Sequence, residues 1–270
     1  MRLVILRIKA FFLRDLFNHA SYPLNFFVSI ILSPLVVSFV LFFVSSEVIG
    51  PTNIKDINMD YFFYSIVGIS LAELSIRIGS ALNSEVRNYQ LTGIFEEIVN
   101  LRVPVIEVLF YSFTYPIMMS LTRVIILFSY SYIFFNLELS LINLGLILIS
   151  YFFVVGSFIG IGFIGGAYCI AFKKGNPITT INSYSTMILG GVLLPTYLLP
   201  DFLINFASIL PVYHAAELIR GLFLNGTETT FLNINLLYLC ILSTFYLLIG
   251  ILLCNKSLKY AKKNGTLLFY

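Results

Sequence analysis

The chain has 270 residues, 59% of them hydrophobic and 11% charged, where a soluble domain carries roughly 25% charged residues. Its 16 basic and 13 acidic side chains cannot cover so apolar a globule, which excludes a soluble domain, intrinsic disorder and a secreted disulfide scaffold. A net charge of +3 offers nucleic acid little, and Cys169, Cys240 and Cys254 all lie in apolar runs. The composition is that of an integral membrane protein.

Residues 2–18 precede the first apolar run and read as an interfacial helix retained in the mature chain. Arg7, Arg14 and Asn18 share one helical stripe, with Phe11, Phe12, Leu13, Leu16 and Phe17 around them. Six runs then reach the roughly 20 residues that a helix needs to cross a bilayer. They are Leu24–Val44, Tyr61–Leu82, Val108–Phe135, Leu141–Phe172, Ile178–Leu199 and Phe231–Cys254. The runs are continuously apolar, without the alternation of barrel strands, so the expected fold is an all-α membrane protein with six transmembrane helices. Twelve lysines and arginines fall on one side of these spans and two, Lys55 and Arg220, on the other. That bias places both termini and the basic tail 255–270 in the cytoplasm, in a multi-pass plasma-membrane protein. Residues 1–270 form a single transmembrane domain.

Between the second and third spans lies a polar stretch, 83–107. Phe95, Ile98, Val99 and Arg102 fall at helical spacing, Glu96 and Glu97 sit beside them, and Gly93 and Pro104 punctuate. An ordinary surface helix and a docking element for a partner both fit this pattern.

Charges inside spans are costly unless paired or facing water. Glu73 lies 12 residues from the outer end of span two, and Arg123 lies 12 from the outer end of the antiparallel span three. The two share a depth and can pair, and Arg77, at i+4 from Glu73, can share the carboxylate. A structural ion pair and a substrate contact both remain open for this cluster. In span four, Gly156 and Gly160 have the small-xxx-small spacing of close helix contact.

The stretch 200–224 is apolar, but Pro200 and Pro211 divide it into pieces of about ten residues, each only about 15 Å long as helix. It reads as an outer re-entrant helical hairpin carrying His214, Glu217 and Arg220. Catalysis has little material, because the two histidines, His19 and His214, stand apart and no metal-ligand spacing occurs.

In combination, two stretches resemble the permease subunits of type-2 ATP-binding-cassette (ABC) exporters of drugs or lipids. One is Glu85-x-Arg87…Gly93-Ile94-Phe95-Glu96…Pro104. The other runs Asn176-Pro177, Leu194-Pro195, Leu199-Pro200, Leu210-Pro211, then His214-Ala215-Ala216-Glu217 and Arg220. The resemblance implies that Gly93–Arg102 is a coupling helix seated in a groove of a separate ATP-binding subunit. Arg87, Gly93, Phe95, Glu96, Glu97 and Arg102 would then make that contact. It implies a partner permease copy, most simply a homodimer, and ATP with Mg on the partner subunit, since this chain has no Walker sequence and binds no cofactor itself. The outer hairpin would cap an alternating-access path for hydrophobic or amphipathic cargo. Gln90-Leu91-Thr92 departs from the family's more basic run. Export of a polysaccharide or lipid-linked glycan is the alternative within the family, and a stand-alone secondary transporter the alternative outside it.

Overall fold

The structure is a computed structural model and describes residues 2–44, 61–135, 141–173, 177–191, 200–224 and 229–264. Lys55, Lys174 and the last eight residues of the expected fifth span lie outside the described residues. Every regular element among those described is a helix. Helix α1 covers Arg2–Ala20. The first span runs as α2 (Pro23–Phe27), a π-helical turn (Val28–Leu32) and α3 (Ser33–Phe43). The widened turn sits just ahead of Pro34, whose ring would clash with the carbonyl of Ile30 in a regular α-helix. Next come α4 (Tyr61–Leu91), α5 (Ile94–Asn100), α6 (Val105–Tyr111), α7 (Thr114–Phe135) and α8 (Leu141–Phe172). After these come α9 (Pro177–Leu189), α10 (Asp201–Ala207), α11 (Pro211–Leu224) and α12 (Thr229–Lys263).

Five segments are long and apolar enough to cross a membrane: Pro23–Phe43, Tyr61–Leu91, Val105–Phe134, Gly145–Phe172 and Ile234–Lys263. Helices α10 and α11, bent by 96° at their junction, count as a sixth only if taken together as one broken span. The multi-pass, all-helical architecture follows, with its boundaries shifted from those expected. Helix α4 continues nine residues past Leu82, because 83–91 holds neither glycine nor proline and buries Val86 and Tyr89. Helix α12 likewise runs through most of the basic tail to Lys263. The third span is broken at Ser112–Phe113. Helix α9 has only 13 residues and ends in a turn at Gly190–Gly191, where Gly191 takes a left-handed φ of 65°.

Helix α4 is the hub, with a different task on each face. Leu74, Ile78 and Leu82 are fully buried, and Gly162 and Gly166 of α8 lie against Ile78 and Leu82. Ser70 bonds Tyr151 near one end of this contact, and Arg87 Nη1 donates to the Lys173 carbonyl at the other, so α4 and α8 run parallel. On a second face Ser75 Oγ accepts from Asn182 Nδ2 and pairs with Thr186 Oγ1 of α9, each at 2.9 Å. The third face is polar and lines the cleft described below.

Helices α8 and α12 also run parallel, backbone against backbone. A Cβ on Gly160 would stand 2.3 Å from the Tyr246 carbonyl carbon, and one on Gly250 would stand 2.3 Å from the Gly160 oxygen. Glycine is therefore a packing requirement at the spacing seen in the sequence. Helix α9 runs antiparallel to α4, with Asn182 against Gly79 and Thr186 against Ser75.

Candidate functional site

Helices α4, α8 and α12 end at the same face of the bundle, where the lysines and arginines concentrate. Gly93, with φ 76°, turns the chain there from α4 into α5. Phe95, Ile98 and Val99 anchor α5 in the core, at 1%, 7% and 6% exposure. Glu96 is half-buried and Glu97 exposed, both in the first turn, where carboxylates favour the positive end of the helix dipole. Arg102 does not share the helix: a continued helix would set the Pro104 ring against the Asn100 carbonyl, so α5 stops at Asn100, Leu101 is extended, and Arg102 is exposed beyond the end. Arg87 is also not on α5, and holds the end of α8 instead.

At the opposite face Pro200 precedes α10 and Pro211 opens α11 at a position that needs no N–H. His214 is buried, with Nδ1 3.0 Å from Asn235 Oδ1 of α12 and Nε2 2.9 Å from the Ser208 carbonyl. Arg220, 3% exposed, donates from Nη2 to the carbonyls of Tyr64 (3.0 Å) and Gly191 (2.7 Å). Its guanidinium lies 3.4 Å over the Tyr64 ring. Glu217 is half-buried one turn before it. The bend between α10 and α11 lies deeper, where the Tyr246 hydroxyl donates to the Ile209 carbonyl.

The structure brings Glu73, Arg77 and Arg123 together. Glu73 Oε1 accepts from both Arg77 Nε and Arg123 Nη1. Arg123 is 5% exposed, its Nη2 donates to Ser33 Oγ at 3.0 Å, and its Nε is buried without a partner. This triad closes the deep end of a cleft of about 810 Å³ between α1, the π turn, α4 and α7. The cleft follows a polar stripe of α4 (Glu73, Arg77, Ser80, Ser84, Asn88) down to Thr92 and to Ile94, the first residue of α5.

Several contacts in and beside this cleft escape a reading of the sequence. Arg14 Nη2 meets Glu85 Oε1 at 2.6 Å, its Nε meets Asp15 at 2.7 Å, and its Nη1 donates to the Tyr89 hydroxyl at 2.7 Å. Burial alone would lower the Arg14 pKa, but the bonds to Asp15 and Tyr89 and the charge of Glu85 hold it above the ordinary value. Arg7 Nη1 meets Glu107 at 2.8 Å, and His19 stacks on Tyr115 at 4.8 Å. The polar stripe of α1 thus faces α4 and α6 rather than headgroups, while Ile5, Leu6 and Phe17 are exposed. The stripe of α4, spaced by three and four residues, was the available sequence signal for the cleft.

A bundle with five long apolar segments, a triad of charges inside the spans and a polar cleft along one of them is a polytopic membrane protein built around a hydrophilic recess. The family model for the ABC-2 type transporter matches residues 7–224, most of the chain, and the chain belongs to that family. It is a permease, and membership implies an ATP-binding subunit as its partner. No curated protein sequence matches the chain.

Proposed function

We propose that this permease is the transmembrane half of an ATP-driven exporter that moves hydrophobic or amphipathic cargo outward by alternating access. ATP and Mg²⁺ reside on the partner subunit, and both termini are cytoplasmic. Helix α5 is the coupling helix. The observation that carries this reading is its anchoring: Phe95, Ile98 and Val99 lock α5 to the core while Glu97 stays exposed at the basic face. A push on α5 therefore reaches α4 through packed side chains, and α4 contacts α8, α9 and the charged triad. Helix α1, with its apolar side outward, lies in the inner membrane interface. Helices α10 and α11 dip into the outer leaflet and return, held by Arg220 to the first turn of α4.

A second permease copy completes the path. Ile181, Tyr184 and Ile188 form one exposed face of α9, with exposures of 63%, 63% and 57%, and that face suits a partner copy in a homodimer. The polar cleft favours cargo with a polar head, which keeps lipids and lipid-linked glycans among the cargo classes. The test of coupling is a double reversal, Glu96→Lys with Glu97→Lys. Cargo-stimulated ATPase activity of the reconstituted complex should be lost while the permease still inserts and dimerises. Unchanged stimulation removes α5 from the coupling role.

A further inference from the structure

Two guanidiniums converge on one carboxylate at the deep end of the cleft, so the triad of Glu73, Arg77 and Arg123 carries an excess of one positive charge. Arg77 uses Nε for Glu73, leaving its Nη groups without a partner among the described residues, while Arg123 backs the triad as a buried charge whose Nη groups are held by Glu73 and Ser33. Arg77 is 40% exposed, yet it lies 14 residues above the end of α4, about 21 Å along the helix. An exposed guanidinium with free donors inside a polar cleft at that height is a place for an anion to bind.

From these observations we propose that the cleft binds the oxyanion headgroup of a single amphiphile, a phosphate or carboxylate on an apolar chain. The Nη groups of Arg77 receive the headgroup, with the buried charge of Arg123 behind them, which brings the triad to two positive and two negative charges. The volume of about 810 Å³ accommodates a headgroup of this size. Ile76, 38% exposed on the cleft wall, together with Ile30 and Met119 gives the chain next to the headgroup an apolar surface.

The cleft's charge distribution favours an amphiphile over a soluble anion. At the mouth, Arg14 is outnumbered by Asp15 and Glu85, so a free anion meets net negative charge before it reaches the triad. An amphiphile arriving from the bilayer at the exposed Arg77 avoids that barrier.

The test is equilibrium binding of radiolabelled dodecyl phosphate to the full-length permease in non-ionic maltoside micelles, with dodecanol and inorganic phosphate as competitors. We expect saturable binding of dodecyl phosphate, no competition from dodecanol, and competition from inorganic phosphate only at concentrations at least a hundredfold higher. Arg77→Gln should weaken binding at least tenfold. Arg77→Lys, which keeps the charge and loses the fork, should weaken it less. Equal competition by dodecanol, or unchanged binding in Arg77→Gln, overturns the anion site. Inorganic phosphate binding as tightly as dodecyl phosphate overturns the amphiphile. The three-probe comparison on the unsubstituted protein decides the matter even where a variant fails to fold. No nucleotide or partner subunit is present, so a negative result here leaves the coupling role of α5 standing, and failure of that role leaves this site standing.

Discussion

Glu73 on α4 and Arg123 on α7 are bonded 50 residues apart in sequence, and Arg123 is almost fully buried beside its carboxylate. Removing one member of such a pair leaves an uncompensated charge and costs about 3–5 kcal/mol. Glu73→Arg and Arg123→Glu should each abolish the monodisperse size-exclusion peak of the purified permease. Joint reversal should restore most of it, because the carboxylate, now carried by α7, would sit between two guanidiniums of α4 in the same two-to-one arrangement. If the double variant assembles no better than the singles, the pair does not hold α4 to α7.

The contact of α8 with α12 makes a sharper packing test. The atoms that would meet a Cβ on Gly160 belong to the backbone of α12 and cannot rotate away. Gly160→Ala should therefore lie at the upper end of the ~1–3 kcal/mol range for overpacking, read as a fall in Tm. Gly145 in the same helix has nothing within 4 Å, and Gly145→Ala should be neutral or stabilising by up to ~1 kcal/mol. Equal shifts at the two positions would mean that the helices are not in backbone contact.

How much of this was legible in the sequence depended on whether the signal was local. Membrane spans are set by run length, so five of the six expected runs could be read directly, while the fifth, Ile178–Leu199, meets a helix of only 13 residues within the described part. Their ends could not, since polar residues such as Ser84 and Asn88 continue a helix as well as apolar ones do when Val86 and Tyr89 have a core to enter. Glu73 and Arg123 were readable because counting from a common membrane face converts sequence position into depth. Arg14 was not, because its partners Glu85 and Tyr89 lie 71 and 75 residues away and no periodicity links them. Arg102 lies beyond α5, which helical spacing misses: in a continued helix Pro104 would clash with the carbonyl of Asn100, where the helix ends.

Gly93 separates backbone conformation from contact. A side chain there meets nothing within 4 Å, but φ is 76°, a region that costs an L-residue about 1–2 kcal/mol. Gly93→Ala should lower Tm by about 2–4 °C, and Gly93→Asn should lower it less, since asparagine tolerates the left-handed region. A larger loss with asparagine than with alanine would point to a steric cause and sink the conformational one.

Arg220 joins α11 to α4 and to the turn after α9 through a planar group: one nitrogen donates to the carbonyls of Tyr64 and Gly191 while the guanidinium covers the Tyr64 ring. Lysine keeps the charge but has neither the plane nor the fork, so Arg220→Lys is not conservative here. A desolvated cation over an aromatic face contributes about 2 kcal/mol, and that share should vanish once either partner is changed. In a double-mutant cycle of Arg220→Lys and Tyr64→Leu, the combined loss of stability should fall short of the sum of the singles by about 1–2 kcal/mol. Strict additivity would assign the role of Arg220 to its carbonyl bonds alone, and the ring of Tyr64 would then be only a neighbour.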